Sequence, residues 1–182
     1  MHKFEEKTLK TEEIFNGKIV HLKVLDVKLP DGKTSKREVI YHPGAVAVLA
    51  VTKENKIVLV EQYRKAAERA LIEIPAGKLE PGEEPVKAAL RELEEETGYA
   101  CEKLEPVTAF YTSPGFADEW IHLYLATGLE KLANPKATDD DEFVEITEFT
   151  REETRQLLAS GKICDAKTLI AIQHWLMTEA QK

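Results

Sequence analysis

Hydrophobic and polar positions divide the chain into strand-like and helix-like segments. A continuous apolar run at residues 45–51 predicts a strand that is covered on both faces, and residues 57–63 predict a second strand after a polar turn. The same reasoning predicts further strands at residues 19–29, 34–42, 71–75, 107–111, 121–126 and 142–149. Helices are predicted at residues 84–97, 151–160 and 165–180, the last with Asp165 as its N-cap.

The order of these segments predicts two parts. Pro30-Asp31-Gly32-Lys33 has the chemistry of a hairpin turn, and the N-terminal part that contains it ends at His42-Pro43-Gly44. A lone hairpin is marginally stable in water, so we expect residues 1–43 to form a β subdomain that packs on something else. Residues 44–182 are expected to form an α/β domain, because strands precede, surround and follow one central helix, which favours a mixed sheet between helices.

The central helix has clear signals at both ends. Pro85 suits the first helical turn, and Gly98 suits the position just after the last turn. An apolar stripe along this helix is predicted to be buried, and it consists of Val86, Ala89, Leu90 and Leu93.

An acidic flank made of Glu92, Glu95 and Glu96 borders that stripe, whereas Glu94 points elsewhere. Like charges at this spacing each cost about 0.2–0.5 kcal/mol, and partly desolvated carboxylates repel more strongly. No Lys or Arg occurs between residues 92 and 102, so we expect no cationic relief within the helix. A divalent cation would relieve the repulsion, and oxygen-only ligands favour Mg²⁺ or Mn²⁺ over zinc. The alternative is an ordinary solvated face rich in glutamate.

Charge is distributed unevenly along the chain. The net charge is -8, but residues 73–102 and residues 139–148 each carry a net -6, so the other 142 residues sum to +4. This balance disfavours bulk nucleic-acid binding. There is no apolar run of 18 residues, no apolar core near the N-terminus and no cysteine framework, so we expect neither a membrane span nor a secretory signal. A cytoplasmic protein is expected.

One motif carries more information than the rest. Gly77, five residues, Glu83, seven residues and then Arg91-Glu92-Leu93-Glu94-Glu95-Glu96-Thr97-Gly98-Tyr99 resemble the Nudix box, with every fixed position filled. The resemblance implies an α/β/α sandwich that hydrolyses nucleoside diphosphates linked to another moiety, with two or more Mg²⁺ or Mn²⁺ ions per site. Such ions neutralise the diphosphate and activate water.

The same resemblance implies roles for individual residues. Glu92 and Glu96 would be the primary metal ligands, Glu95 a further ligand, and the Ala76 carbonyl an additional oxygen. Glu83 and Arg91 would form a supporting ion pair that fixes the loop on the helix.

The second acidic island, Asp139-Asp140-Asp141-Glu142, precedes a predicted strand. It does not fit an EF-hand, because Val144 stands where glycine is needed and Thr150 where the bidentate glutamate is needed. In Nudix enzymes a loop at this place can bring a carboxylate to the metals. Glu142 is then the best candidate for a ligand or catalytic base, and Asp140 is the next candidate for the base. A solvated turn is the alternative.

Outside the box, the chain resembles ADP-ribose pyrophosphatases over nearly its whole length. The matching pieces are Lys36-Arg37-Glu38, residues 42–49, Glu61-Gln62-Tyr63-Arg64, Glu73-Ile74-Pro75-Ala76-Gly77 and Ser113-Pro114-Gly115.

This resemblance implies the Mg²⁺-dependent hydrolysis of ADP-ribose to AMP and ribose 5-phosphate, together with a set of contacts and an assembly. Arg64 and Lys78 would contact the substrate, Arg64 through phosphate, and Glu119 would accept hydrogen bonds from the terminal ribose hydroxyls. Arg37 and Glu38 would reach the adenine or phosphates in the partner subunit's site. The implied assembly is a homodimer that exchanges its N-terminal hairpin. Two alternatives are a pyrophosphohydrolase of another nucleoside diphosphate sugar or dinucleotide, and a catalytically silent Nudix nucleotide sensor.

Overall fold

The computed structural model describes residues 2–136 and 143–178. Its contacts divide the chain into two compact units. One unit contains Met1–Gly44 and Phe110–Trp120, and the other contains Ala45–Ala109 and Ile121–Lys182.

The first unit contains a three-stranded antiparallel sheet. Its strands, in spatial order, are β1 (Lys7–Asn16), β2 (His21–Lys28) and β3 (Thr34–Tyr41). The predicted hairpin turn joins β2 to β3, with Leu29 N donating to Lys33 O at 2.8 Å and Gly32 at a φ of 87°. Strand β1 was not predicted. All ten of its residues are exposed, so its sequence carries no alternation of buried and polar positions.

The second unit is built on a mixed sheet, as predicted. Strand β4 pairs antiparallel with β5 and parallel with β9, in the order β10-β5-β4-β9-β8, while β6 pairs with β5 and β7 with β4. The bounds of these strands are β4 (Ala45–Val51), β5 (Ile57–Arg64), β6 (Arg69–Glu73), β7 (Ala76–Lys78), β8 (Tyr99–Tyr111), β9 (Trp120–Lys131) and β10 (Val144–Phe149). Strands β8 and β9 are longer than predicted, because polar residues extend both of them beyond their apolar segments.

Strand β4 is the centre of the core. All seven of its residues are buried, which confirms that this strand is covered on both faces. Val46, Val48 and Ala50 pack in one cluster with Ala89 and Leu93 of the central helix. Since side chains alternate across a strand, the intervening residues face the opposite side, where the C-terminal helix contacts β4. The result is the predicted arrangement of a sheet between helices.

The described residues form three α-helices, α1 (Pro85–Thr97), α2 (Arg151–Ala159) and α3 (Ala166–Met177), and a short 3₁₀ helix at Lys65–Ala67. Gly98 ends α1 in the left-handed region, and its N–H donates to Glu94 O at 2.8 Å. Asp165 caps α3 as predicted, by accepting from Thr168 N. No helix in the described ranges is long and apolar enough to cross a membrane.

The predicted buried stripe of α1 is half wrong. Ala89 and Leu93 are fully buried, but Val86 and Leu90 are 49% and 42% exposed. The helix instead buries Glu92 and Glu96 of the acidic flank. The buried face of α1 is thus rotated relative to the predicted stripe. Burial of the two carboxylates is tolerated because each accepts a hydrogen bond from an N–H group of the protein. The buried face of α1 therefore shares only Ala89 and Leu93 with the predicted stripe.

The two leucines of α1 give a direct test of this rotation. Leu93→Ala should lower the free energy of unfolding by about 2–5 kcal/mol, because it leaves a cavity in a packed core. Leu90→Ala, on the same helix, should change it by only about 0.5 kcal/mol. Chemical denaturation of the two variants measures both free energies of unfolding. Equal losses would contradict the finding that α1 buries Leu93 and exposes Leu90.

Candidate active site

Arg91 is the centre of the polar contacts on α1. Its Nη1 donates to Glu92 Oε1 at 2.7 Å and to Glu95 Oε2 at 3.1 Å. The hydrogen bonds to Glu83, followed by the charge of Glu92, hold the pKa of Arg91 well above its ordinary value. The expectation that the acidic flank lacks cationic relief within its own helix was wrong. Arg91 directly precedes the flank, and its long side chain contacts two of the flank's carboxylates, those of Glu92 and Glu95.

The same guanidinium fixes the loop before the helix. Arg91 Nε and Nη2 donate to the two oxygens of Glu83 at 3.0 and 2.9 Å, and Nη2 also donates to Lys78 O at 3.2 Å. Glu83 in turn accepts from Glu80 N at 3.1 Å. The predicted ion pair is therefore present, and it fastens the segment between β7 and α1 to the helix. The hydrogen bond from Arg91 is the main reason that the pKa of Glu83 is lowered.

Glu92 and Glu96 lie against the first two residues of β7, Ala76 and Gly77. Ala76 N donates to Glu96 Oε2 at 2.9 Å. A Cβ placed on Gly77 would be 1.9 Å from Glu92 Oε1, so the carboxylate can occupy this place only beside a glycine. The structure thus brings together Ala76, Glu92 and Glu96, three of the predicted metal ligands.

The chemistry of these donors fits a hard divalent cation. The carboxylates of Glu92, Glu95 and Glu96 offer oxygen ligands only, which is the set that Mg²⁺ and Mn²⁺ prefer. Within residues 2–136 and 143–178, no three His, Cys, Asp or Glu side chains already stand in an arrangement that could hold a metal ion. In this structure N–H donors of Arg91 and Ala76 occupy lone pairs of the carboxylates. The individual metal ligands stay predictions.

The predicted residues of the second acidic island, Asp140 and Glu142, lie outside the described residues. The described chain resumes at Phe143, and β10 pairs with β5 from Val144 onward.

A cleft of about 770 Å³ lies beside the acidic flank. Its lining includes Glu95 and Glu96 of α1, Glu61 of β5 and residues 143–146. Sites for small ligands commonly have volumes of about 300–1,000 Å³, so the cleft is large enough for a nucleotide-sized compound.

Arg64, the predicted phosphate contact, ends β5 and is half-buried. Its Nε and Nη2 each donate to an oxygen of Glu73 at 2.8 Å. These hydrogen bonds come first among the causes that raise the pKa of Arg64, and the carboxylate of Glu96 also contributes. A guanidinium has five N–H donors, so two bonds to Glu73 do not exhaust its capacity. Its contact with phosphate stays a prediction.

The other predicted substrate residues fall in both units. Lys78 is exposed on β7 in the second unit. In the first unit, Glu38 is exposed on β3, and Arg37 donates to both oxygens of Glu6 at 2.8 and 2.6 Å. Glu119, also in the first unit, accepts from Thr112 Oγ1 at 2.6 Å. Their roles toward a substrate stay predictions.

Sequence reasoning assigned no role to Glu73, although this carboxylate is 1% exposed. The available signal was an acidic residue inside the otherwise apolar segment 71–75, because a charge is buried only where it has partners.

Two family models match this chain. The NUDIX domain matches residues 41–170, and the nucleoside diphosphate sugar hydrolase N-terminal domain matches residues 6–40. The box folds as the loop and helix described above. The chain therefore belongs to the Nudix family of hydrolases, as its resemblance implied.

Individual relatives match nearly the whole chain. The chain is 60% identical to a methanol dehydrogenase activator from Bacillus methanolicus, over 98% of this chain and 97% of that protein. It is 58% identical to an ADP-ribose pyrophosphatase from Bacillus subtilis, over 99% and 97%. A crystal structure of an ADP compounds hydrolase shares the fold, with a TM-score of 0.83 at 19% identity, covering 98% and 97% of the two chains.

The Glu83–Arg91 pair predicts a specific dependence of stability on pH. Because the folded-state pKa of Glu83 is lowered, its ionised form stabilises the protein above its unfolded-state pKa of about 4.5. The contribution is lost as the pH falls through the lower folded-state value. The free-energy difference between the wild type and Glu83→Gln should therefore be largest near pH 7 and shrink below about pH 4.5.

Chemical denaturation between pH 3.5 and pH 7 measures this difference. Glu84→Gln is the matched control, since Glu84 forms only an exposed pair with Lys87. We expect the control to have a small effect at every pH. A Glu83→Gln difference that does not vary with pH would contradict the ion pair as the source of stabilisation.

Proposed function

We propose that this protein hydrolyses ADP-ribose to AMP and ribose 5-phosphate in the presence of Mg²⁺ or Mn²⁺. The observation that carries the proposal is the packing of the Glu92 and Glu96 carboxylates against Ala76 and Gly77, which gathers the oxygen donors of a complete Nudix box at one place. The cleft beside these residues and the 58% identity to an ADP-ribose pyrophosphatase also support it.

The residues proposed to hold the metal ions are Glu92, Glu95, Glu96, Glu142 and the backbone carbonyl of Ala76. Two or more divalent ions, when bound, would neutralise the diphosphate and activate a water molecule. Glu142 or Asp140 is proposed to take the proton from that water. Arg91 would keep the acidic residues and the loop in place, because it already contacts Glu83, Glu92 and Glu95.

The substrate is proposed to be held by groups suited to its charges and hydroxyls. Arg64 and Lys78 would bind phosphate oxygens, since both are cations and Arg64 can donate several hydrogen bonds at once. Glu119 would accept from the ribose hydroxyls, and Arg37 and Glu38 would act in the site of a second subunit.

Glu96→Gln tests the metal assignment. The change keeps the size of the side chain but removes the charge that a cation needs, so we expect kcat/KM to fall by at least about 100-fold, more than supporting residues of metal sites usually give. Glu94→Gln is the matched control on the same helix, because Glu94 points away from the site and pairs with Lys136. Near-normal turnover of Glu96→Gln with Mg²⁺ would show that the assignment is wrong.

A substrate panel tests the reaction itself. We expect kcat/KM for ADP-ribose to exceed the values for ADP-glucose, NADH and diadenosine polyphosphates. A clear preference for another compound would favour the alternative of a different nucleoside diphosphate sugar or dinucleotide pyrophosphohydrolase. Binding without turnover of any compound would favour the silent sensor, although every box glutamate is present.

A second candidate function follows from the 60% identity to a methanol dehydrogenase activator. The chain would then raise the turnover of a methanol dehydrogenase. Adding the protein to such a dehydrogenase and measuring alcohol oxidation tests this directly. The Glu96→Gln variant in the same assay decides whether the effect requires the Nudix site.

A homodimer is proposed for the assembly. Several large apolar side chains of the first unit are more than half exposed, and they include Leu9, Ile14 and Phe15 of β1. Large exposed apolar side chains concentrated on one strand favour an interface with another chain. The molar mass in solution, measured by sedimentation, should be twice that of one chain. We further propose a cytoplasmic protein that acts on a small molecule and has no nucleic-acid partner.

A further inference from the structure

A polar cluster joins the start of α3 to β5 and β6, the strands that carry Arg64 and Glu73. Glu73, at the end of β6, accepts from Arg64 with both oxygens and from Lys167 Nζ of α3. Lys167 also pairs with Asp165, the N-cap of the helix, at 3.1 Å. Arg64, Glu73, Lys167 and Asp165 thus form a chain of alternating charges, which we call the Glu73 cluster.

Two members of the Glu73 cluster are buried, where charges are costly. Glu73 is 1% exposed and Lys167 is 9% exposed. Burial alone would raise the pKa of Glu73, but the hydrogen bond from Arg64 and the charge of Lys167 outweigh it and lower the value. Removing one partner from such a group leaves a buried charge that is less well compensated, so each member constrains the others.

A second contact ties α3 to the same strand segment. Thr168 Oγ1, donating to Asp165, accepts from Ile74 N at 2.9 Å. The next residue but one, Ala76, donates its N–H to Glu96. The helix start therefore fixes residues 73–76, from the Glu73 carboxylate to the point where the segment meets the acidic flank.

The position of Lys167 has a consequence for Arg64. With Arg64 as its only partner, the Glu73 carboxylate would neutralise that guanidinium. Lys167 supplies a second cation on Glu73 Oε2, the oxygen that also accepts from Arg64 Nη2. Arg64 therefore shares one oxygen of Glu73 with Lys167, its guanidinium is held at a fixed place by its two bonds to Glu73, and its other N–H groups remain able to donate to an anion.

We propose that Lys167 is a positioning residue of the active site, which acts through Glu73 to orient Arg64 and to keep it able to bind a diphosphate. This inference rests on the proposed function, because it takes Arg64 as a phosphate contact. It adds α3, which lies after the Nudix box in the sequence, to the elements that determine substrate binding.

Lys167→Met tests the proposal in steady-state kinetics, because it keeps most of the aliphatic stem and removes the ammonium group. We expect KM for the substrate that the wild type hydrolyses to rise by about tenfold, a typical size for coupled neighbours, while kcat changes far less. Lys167→Arg should restore KM. Lys162→Met, an exposed lysine before the same helix, is the matched control and should behave as the wild type.

A double-mutant cycle decides whether Lys167 acts through Arg64. In an Arg64→Gln background, Lys167→Met should raise KM no further, since the group that it positions is gone. A full tenfold effect in that background would overturn the proposal. If Lys167→Met does not fold, Lys167→Gln, which retains an N–H donor for Glu73 but no charge, takes its place in the cycle.

A measurement without turnover separates this inference from the proposed function. The Nε–Hε resonance of Arg64, identified by its loss in Arg64→Gln, is followed by NMR during titration with ADP in the absence of metal. We expect ADP to shift the resonance in the wild type and in Lys167→Arg, and to bind about tenfold more weakly in Lys167→Met. Equal affinities, or no response in the wild type, would overturn the inference. Absence of hydrolysis with a normal ADP response would refute the proposed function alone.

Discussion

The burial of negative charge where α1 meets β7 is the constraint on which the site depends. Glu92 and Glu96 are almost fully buried, and carboxylates are stable in such a place only with donors or cations beside them. Arg91 and the N–H of Ala76 meet this need in the described structure. Because the same oxygens suit a hard cation, the groups that keep the fold stable also hold the proposed metal ligands close together.

This constraint extends outward through fixed hydrogen bonds to parts of the chain that are distant in sequence. Arg91 ties the flank to Glu83 and so to the loop before α1, while Ala76 ties it to the segment that Glu73 and Ile74 anchor to α3. Ala76 and Thr168 are far apart in sequence, yet Thr168 accepts a hydrogen bond from Ile74, which lies two residues before Ala76. Both faces of the sheet therefore contribute to one site.

The extent to which sequence determined these features differs from element to element. The bounds of β4 and α1 followed from a long apolar run and from Pro85 and Gly98, because these signals are local. Strand β1 was missed since its exposed residues carry no pattern, and the rotation of α1 was missed because Val86 and Leu90 imitate a buried stripe. The i,i+4 spacing of Arg91 and Glu95 was an available signal for their pairing. The Glu73 cluster was not accessible, as it depends on tertiary packing between residues that are 94 positions apart.

The close approach of Gly77 to Glu92 bears on how this site can change by mutation. A Cβ at position 77 would lie 1.9 Å from Glu92 Oε1, so a side chain there would force the buried carboxylate away from its present bond with Arg91. The adjacent Lys78 is exposed, and only its backbone carbonyl is needed by Arg91. A change at position 77 would therefore disturb the acidic flank, whereas a change at position 78 would alter only the side chain that is proposed to bind phosphate. New substrate preferences in this scaffold would accordingly arise at the second position and leave the first untouched.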